Sequence, residues 1–596
     1  MAVSAVVADW SGARYLEGND ESLEEYMTQS RVEANMNTDD YVLTAFTLNT
    51  DEGVTVQYRG KDYKFTVEIT SSGNSAKVTY GSSIDSEGGN DEISYVKLID
   101  GSWDEYHKVN SPELFEGMTA IYWNEAGEEI ELTDSSSLDE WEQWYDYNGN
   151  GDGQNKWANA VTKDSSGNIT GYWVWIPRYA YKIESGLFTS TAGTISVKFL
   201  KNTSDLDEEG TTIGRTYSYS GEAMTDYVVH PAFRNGTDNN FKLGEWDEEV
   251  SGFWVAKYEA GYQANTITDN NGTLSTTISN ADDDVVYSDL KYTNYRSDFP
   301  TNSLLQDLSS TDFSSEKLSY PVFLPLTYSY NIICIGDSYV LSEAIDTANS
   351  FYGLNSSVTD SHMMKNSEWG AVVYLAQSNF GKEGVKIAKN NYYTNEDNES
   401  PYKMAVTGLT GTSEEKTNNL SNVMAYNTPN GMKGSSTGNI TGVYDLNGGD
   451  NEYVAGFITN GNRQLVTTGI SNGSSGSLLG TTNISNANGY LSLSERNHTV
   501  YAYDSSNDTS SNNFISYKNL LSDHYGYGDA ILEISSSGEG YYAWNSDSSY
   551  FAYNNFPFFI RGGDFSNVYN TGSFYLRCMH GGPYCNTSYR VVLINE

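Results

Sequence analysis

The stretch that decides the fold spans residues 442–454 and reads Gly442-Val443-Tyr444-Asp445-Leu446-Asn447-Gly448-Gly449-Asp450-Asn451-Glu452-Tyr453-Val454. Its three glycines permit backbone conformations that other residues rarely adopt. Asp445 and Glu452 stand among aromatic and aliphatic neighbours. Because buried carboxylates need partners, we interpret both as charges that fix turns rather than as catalytic groups.

Three more blocks accompany this stretch, each with isolated charges among aromatic and small residues. Residues 253–259 read FWVAKYE, residues 366–374 read NSEWGAVVY, and residues 561–565 read RGGDF, followed by YRVVL at 589–593. Each block alone is a weak signal. In this order, the four blocks together resemble the formylglycine-generating-enzyme (sulfatase-modifying factor) domain.

This resemblance implies an α+β fold of the C-type-lectin-like (formylglycine-generating-enzyme-like) class, β-rich with few helices and with the two ends of the domain close together. We assign residues 131–596 to it. Helices are predicted at 338–349 and 366–378, the second with Ser367 as candidate N-cap. The residues assigned a structural role are Glu259, Trp369, Asp445, Glu452, Arg561, Gly562, Gly563 and Arg590.

Residues 1–130 carry no chemical motif. We interpret them as a small N-terminal α+β or β domain that attaches or spaces the rest of the chain. The pattern predicts a helix at 21–36 and strands at 41–48, 54–58, 63–69 and 76–80, separated by turn residues.

Composition limits the class of partner. The chain has 79 acidic and 34 basic side chains and a formal net charge of -45, which disfavours binding to nucleic acid or to an anionic membrane. No apolar run reaches the roughly eighteen residues of a membrane span. Abundant Gly, Ser, Asn, Thr and Tyr are typical of β-rich extracellular proteins, so we expect an extracellular, cell-surface or virion-surface location.

The resemblance is to an enzyme, but the catalytic residues of that family are missing. Its oxidases place a cysteine pair shortly after the Arg-Gly-Gly motif, where thiolates suit a copper ion. Here residues 564–570 read DFSNVYN, and Cys578 and Cys585 lie further along. Iron-dependent relatives need clustered histidines, and the six histidines of this chain show no such spacing. We predict no enzymatic activity and no required cofactor, and we interpret His362 as a capping or packing residue.

The segment 562–590 has the composition of a recognition surface. Of its 29 residues, 28 can be encoded by triplets that end in cytosine, the exception being Met579. This bias is similar to the variable region of proteins diversified by retroelements, which mutate adenines in asparagine codons. An ordinary loop poor in Lys and Glu is the alternative. A neighbouring near-copy of this DNA that differs only at adenines would support the first interpretation.

Within this segment, Gly562, Gly563, Gly572, Phe574 and Arg590 are interpreted as the scaffold. Side chains such as Tyr, Asn and Ser give large contacts and adaptable hydrogen bonds, as in antibody loops. The predicted ligand contacts are Asp564, Ser566, Asn567, Tyr569, Asn570, Tyr575, Leu576, Arg577, His580, Tyr584 and Asn586. A disulfide between Cys578 and Cys585 remains an open alternative.

A calcium site is predicted at residues 146–153, which read DYNGNGDG. The oxygen ligands of an EF-hand-like loop would come from Asp146, Asn148, Asn150 and Asp152. The twelfth position, where a bidentate acid is expected, is Trp157. A plain Asx- and Gly-rich turn is therefore an equal alternative, and Ca²⁺ is an optional partner.

These observations together predict a non-enzymatic adhesin or receptor-binding protein of a cell or phage surface, with a hypervariable C-terminal surface for a protein or glycan ligand. One alternative is an oxidase-family enzyme of the formylglycine-generating type. Another is a structural component of a pilus or phage tail.

Overall fold

The computed structural model divides the chain into two compact units, Met1–Ser111 and Pro112–Glu596. In the first unit it describes the backbones of the strands and Ser111. In the second it describes residues 112–132, 143–149, 154–236, 246–268, 291–292, 320–331, 333, 335–393, 405–458, 495–521, 527–553, 556–582, 584 and 586–595. The sequence suggested a boundary near residue 130. In the structure β9 (Met118–Trp123) already pairs with β11 (Asn159–Lys163) of the second unit, so that unit begins earlier.

The first unit contains antiparallel strands. A four-stranded sheet has the order β3-β4-β5-β6, which matches consecutive hairpins, and β1 pairs with β2 and β7 with β8. The predicted helix at 21–36 lies outside the described residues. The strands are β1 (Ala5–Asp9), β2 (Gly12–Leu16), β3 (Phe46–Asn49), β4 (Gly53–Tyr58), β5 (Lys61–Ile69), β6 (Ala76–Gly81), β7 (Tyr95–Ile99) and β8 (Ser102–Tyr106).

The second unit contains a seven-stranded sheet in the order β10-β9-β11-β12-β18-β32-β22. Its central strands are almost wholly buried, which explains their continuous apolar and aromatic sequences. Besides β9 and β11, its strands are β10 (Glu129–Glu131), β12 (Ile169–Pro177), β18 (Gly252–Ala256), β22 (Thr359–Met363) and β32 (Val591–Asn595). The pairing of β18 with β32 joins segments more than three hundred residues apart in the sequence.

A second sheet contains the strands of the segment 562–590. Its order is β26-β25-β29-β30-β28-β27, and β31 also pairs with β25. The strands are β25 (Asn451–Ile458), β26 (Thr499–Tyr501), β27 (Glu539–Gly540), β28 (Ser549–Tyr550), β29 (Phe558–Arg561), β30 (Leu576–Met579) and β31 (Thr587–Tyr589). Buried aromatic residues, among them Tyr501, Phe551 and Phe559, form the core beneath it.

Smaller strands complete the described β structure. They are β13 (Tyr179–Ile183), β14 (Ile195–Phe199), β15 (Tyr219–Ser220), β16 (Ala223–Met224), β17 (Val228–Val229), β19 (Gly261–Thr268), β20 (Lys291–Tyr292), β21 (Thr327–Ser329), β23 (Leu409–Gly411) and β24 (Val423–Ala425). The unit is therefore β-rich with few helices, as predicted.

The helices are α1 (Ile335–Glu343), α2 (Asn349–Tyr352), α3 (Asn366–Gln377) and α4 (Ser510–Leu521). The helix predicted at 338–349 begins and ends earlier, and α4 was not predicted. In α3 the N-cap is Lys365, so Ser367 lies inside the helix rather than at its cap. Within the described parts of the chain, none of the helices has the length and hydropathy that crossing a membrane requires.

Candidate functional site

The segment 562–590 alternates between the interior and the surface. Residues 562–565, 571–576 and 587–590 are buried. Between them, residues 566–570 and 577–580 are wholly or partly accessible, as are Tyr584 and Asn586. The chain thus presents two accessible stretches on a frame of three buried ones.

The buried frame is fastened to the rest of the unit by specific bonds. The Phe565 N–H donates to Gly449 O at 2.7 Å, and the Trp369 indole N–H donates to Ser573 O at 2.8 Å. Gly563 has φ +75°, and a Cβ there would collide with the side chain of Thr571. A side chain at position 563 would therefore displace the frame.

The stretch 442–454 supports the far end of the segment as well. The Asn451 N–H donates to Asn586 O at 2.9 Å, and the Tyr453 hydroxyl donates to Gly582 O at 2.6 Å. Strand β25 runs parallel to β31 in register Asn451↔Thr587. The stretch 442–454 thus also supports the segment 562–590 through hydrogen bonds and strand pairing.

Asp564 was predicted as a ligand contact, but it is buried and its carboxylate is used internally. Oδ1 accepts the Ser566 N–H at 2.7 Å, the Ser566 hydroxyl at 2.6 Å and the Asn567 N–H at 2.9 Å. Oδ2 accepts the side-chain amides of Asn451, at 3.1 Å, and Asn586. Asp564 therefore links the first accessible stretch to Asn586, and its role is to support the surface rather than to contact a ligand.

Tyr575 and Leu576 were also predicted as contacts, and both lie in the interior. Tyr575 is 2% exposed and Leu576 belongs to the aromatic core beneath the second sheet. Burial raises the pKa of Tyr575, and hydrogen bonds with Arg577 and Asn567 oppose that rise. The Tyr575 hydroxyl thus lies between the two accessible stretches, as a second internal link.

The other eight predicted contacts are accessible to different degrees. Tyr569 is 71% exposed and lies in the first accessible stretch, two residues after Asn567. Arg577 is an exposed residue, and its guanidinium lies over the Tyr550 ring, 4.9 Å from the ring centroid. The remaining six are partly accessible: Ser566, Asn567, Asn570, His580, Tyr584 and Asn586.

His580 and Tyr584 form a pair at the second stretch. The Tyr584 hydroxyl and His580 Nε2 are hydrogen-bonded, and their rings lie 5.0 Å apart. Burial lowers the pKa of His580 and raises that of Tyr584 to about 12, so both are neutral at pH 7. This part of the surface offers uncharged aromatic groups.

The sequence did not indicate that a neighbouring segment borders this surface. Strand β28 lies beside β30, and the Ser548 N–H donates to Asn570 O at 2.9 Å. Tyr541 and Tyr542 directly follow the edge strand β27 and are exposed, and Tyr550 contacts Arg577. The available signal was the Tyr-Tyr pair beside Gly540.

The predicted structural charges are buried in pairs or hydrogen-bonded. Arg590 donates to both oxygens of Glu452, at 2.7 and 2.8 Å, and to Tyr444 O at 2.9 Å. Asp445 Oδ1 accepts the Asn390 side-chain amide at 2.9 Å, and its pKa is raised by burial to about 6. Glu259 accepts the Asp450 N–H at 3.1 Å, and burial raises its pKa well above the ordinary range.

Arg561 is buried with fewer partners. It donates to Ala530 O at 2.9 Å and stacks on Trp369 at 5.5 Å, and burial lowers its pKa to about 10. Trp369 in turn contacts the frame of the accessible segment through Ser573. Arg561 thus connects α3 to the start of that segment.

His362 lies on β22, ahead of α3, between two carboxylates. Its Nδ1 is 2.8 Å from Asp360 Oδ1 and its Nε2 is 2.9 Å from Glu368 Oε1. Burial lowers the pKa of His362, but the charge of Glu368 and the hydrogen bond with Asp360 outweigh it, so the net shift is upward. Both ring nitrogens are therefore occupied within the protein.

The predicted calcium loop is described as far as Gly149, whereas Asn150 and Asp152 lie outside the described residues. Asp146 pairs with Lys156 through two backbone hydrogen bonds, at 2.7 and 2.8 Å. Trp157, at the position of the expected bidentate acid, is buried and donates to Phe380 O at 2.8 Å. In the described part of the chain, no three His, Cys, Asp or Glu side chains form a metal-binding group.

Cys578 is half-buried on β30, and burial raises its pKa to about 12. A thiol with such a pKa is protonated at neutral pH, which makes it a poor nucleophile and metal ligand. Cys585 lies outside the described residues, so the alternative disulfide stays a prediction.

Comparison with known proteins adds no family to this picture. The sequence matches no protein-family model. It also has no significant match among curated proteins.

Proposed function

We propose that this protein is a non-enzymatic binding protein that displays a variable recognition surface on a C-type-lectin-like fold. Its ligand is a protein or glycan of a cell or phage surface. In this proposal the protein acts as an adhesin or receptor-binding protein outside the cell or on a virion, and a retroelement diversifies the segment 562–590.

The observation that carries the proposal is the separation of this segment into frame and surface. The five residues interpreted as scaffold are all buried, and eight of the eleven interpreted as contacts are accessible. A segment of this kind can change its accessible side chains while the fold is kept. Its aromatic, amide and hydroxyl groups are those that adaptable paratopes use.

The connection of the four sequence blocks supports the fold part of the proposal. The first block overlaps β18 and the last overlaps β32, and these strands are paired, with Trp254 opposite Leu593. The ends of the region therefore lie close together, as the resemblance implies. The ion pair of Glu452 and Arg590 connects the stretch 442–454 to the last block.

The chemistry of the segment favours binding over oxidation. The residue after the Arg-Gly-Gly motif is Asp564, whose two oxygens are occupied by internal donors. The described cysteine in the segment, Cys578, is a protonated thiol at neutral pH. Neither side chain supplies the thiolate that the oxidase reaction of the resembling family needs.

Binding of the full-length chain to an array of surface glycans and surface proteins tests the proposal. Replacing Tyr569 and Arg577 together by serine is expected to weaken binding at least about tenfold, because exposed Tyr and Arg residues are frequent hot spots. The variant is expected to keep a cooperative thermal unfolding transition, so that the loss of binding reports the surface and not unfolding. Tyr219→Ser is the matched control, since Tyr219 is 48% exposed on β15. Binding that survives the double substitution, or that Tyr219→Ser weakens equally, would contradict the assigned surface.

A further inference from the structure

Lys257 occupies an unusual position directly after β18. The side chain is fully buried. Its Nζ donates to Asn159 Oδ1 at 2.7 Å and to the backbone carbonyl of Ile440. The Trp123 and Tyr444 rings lie 4.7 and 5.7 Å from the same nitrogen. Both hydrogen-bond acceptors of Lys257 are uncharged, and two aromatic rings flank its Nζ.

This environment disfavours the ammonium form. Burial lowers the pKa of Lys257 well below its ordinary value, and the charge of Glu129 opposes that only in part. A neutral lysine amine carries a free electron pair and is a nucleophile. Burial thus favours the neutral, nucleophilic form of the amine.

The carboxamide of Asn159 is held in a fixed orientation. Its Nδ2 donates to Trp157 O at 2.9 Å and to Thr441 O at 2.8 Å, which leaves Oδ1 facing Lys257. Since a C=O bond measures about 1.23 Å, the separation of Nζ and Cγ cannot exceed about 3.9 Å. Reacting atoms in near-attack geometries lie about 3–3.5 Å apart, so a small side-chain movement suffices.

Glu129 is the carboxyl group whose charge acts on Lys257. It stands opposite Trp123 in the pairing of β10 with β9, and its carboxylate accepts the Tyr172 hydroxyl at 2.9 Å. Burial raises the pKa of Glu129, and Lys257 is among the charges that act on it. A carboxyl in this setting can give and take a proton.

We propose that Lys257 and Asn159 form an intramolecular isopeptide bond. The Lys257 Nζ electron pair forms the new bond to Asn159 Cγ, and the Cγ–Nδ2 bond breaks. A proton from Nζ reaches Nδ2 through the Glu129 carboxyl, and ammonia leaves. No atom is oxidised or reduced, and no further reactant is consumed.

The bond has a mechanical consequence. It connects the start of β11 to the end of β18 across β12, which lies between them in the sheet. The two residues are 98 positions apart in the sequence. The bond therefore closes the chain between them into a covalent ring. Such a cross-link restricts the unfolded chain, as a disulfide does.

Mass spectrometry of the purified, denatured full-length chain tests the proposal. The intact mass is expected to be lower than the sequence mass by one ammonia. Trypsin is expected to release residues 157–163 joined to residues 243–291 as one branched peptide, because modified Lys257 resists cleavage. Lys365 is the matched control. It is also fully buried, but its side-chain partner is the Glu368 carboxylate, and cleavage after Lys365 is expected to be normal.

Variants separate the chemistry from the fold. In Asn159→Ala and Lys257→Met the branched peptide is expected to be absent. Glu129→Gln is expected to retain the melting behaviour of a folded chain but to show at least a tenfold lower cross-linked fraction at equal age. A wild-type chain that yields the free peptide 157–163 and a cleaved Lys257 overturns the proposal. Unchanged cross-linking in Glu129→Gln overturns the role of Glu129.

Discussion

The side chain of Glu533 illustrates what burial does to a single acidic residue. It is fully buried, and its carboxylate accepts the hydroxyls of Tyr181 at 2.7 Å and Tyr374 at 2.6 Å and the Gly528 N–H at 2.9 Å. Burial raises its pKa to about 7, and neighbouring Asp529 adds to the rise. Three hydrogen bonds therefore do not fully compensate for the lost hydration.

This pKa predicts a pH dependence of stability. Between pH 4.5, the ordinary pKa, and about pH 7, Glu533 is protonated in the folded chain and ionised in the unfolded chain. The folded state then binds more protons, so stability falls as pH rises through this window. In the wild type, this one group is expected to lower the free energy of unfolding by about 3 kcal/mol across the window, since one pKa unit corresponds to about 1.4 kcal/mol. Glu533→Gln stays neutral and is expected to lack this pH-dependent loss. Denaturant unfolding at pH 4.5 and pH 8 measures the difference.

The exposed Glu539→Gln serves as control for this measurement and is expected to leave the pH profile as in the wild type. Equal pH profiles of wild type and Glu533→Gln would show that the carboxyl of Glu533 ionises normally in the folded chain.

The sequence of the segment 562–590 predicts the kinds of side chain that suit a recognition surface. It does not predict which of them face the solvent and which face the interior. Tyr569 and Tyr575 have the same side chain and similar neighbours in sequence, yet one is exposed and the other buried. Between the two tyrosines the chain bends at Asn570, which has φ +65°. The composition of the segment does not encode where the bend falls, so Asp564, Tyr575 and Leu576 were assigned to the wrong side.

Helical elements show a similar limit. The spacing of Trp369, Val372, Val373 and Ala376 predicted α3, and every residue of that helix is buried. Helix α4 is rich in Ser and Asn, which favour turns over helix interiors, so its sequence gave little helical signal. It forms because Phe514 and Tyr517, three positions apart, pack into the core under the second sheet.

The N-terminus of α3 depends on Glu368. Its carboxylate accepts the Lys365 N–H at 2.8 Å and pairs with the Lys365 ammonium at 3.2 Å and with His362. Glu368→Ala would leave two buried cationic groups without this partner. It is expected to lower the free energy of unfolding by about 3–5 kcal/mol, the usual result of breaking a buried ion pair.

Chemical denaturation of the full chain measures this loss. Glu368→Gln keeps an acceptor oxygen and is expected to lose less than Glu368→Ala. Glu383→Ala, at an exposed position after the same helix, is expected to change stability by at most about 0.5 kcal/mol. A Glu368→Ala variant as stable as Glu383→Ala would refute the capping role.

At the scale of the whole molecule, the β-rich class was predictable, because aromatic and glycine patterns are local. The pairing that connects the blocks was not, because it joins β18 to β32 across a long sequence separation. The resemblance supplied the expectation that these ends meet, whereas periodicity alone carries no information on which strands pair.

Two truncations of the chain test this organisation. Strand β32 lies between β18 and β22 in the large sheet, and Val591, Val592 and Leu593 are fully buried. Removing residues 591–596 strips a partner from both neighbouring strands, so the chain 1–590 is expected to lose cooperative thermal unfolding of the second unit. Removing residues 1–111 takes away only the first compact unit, so the chain 112–596 is expected to unfold cooperatively, with a melting temperature like that of the second unit in the full chain. Calorimetry distinguishes the two results. A cooperative transition in 1–590 would mean that the fold does not depend on its last strand. Absence of the transition in 112–596 would mean that the second unit does not fold without the first.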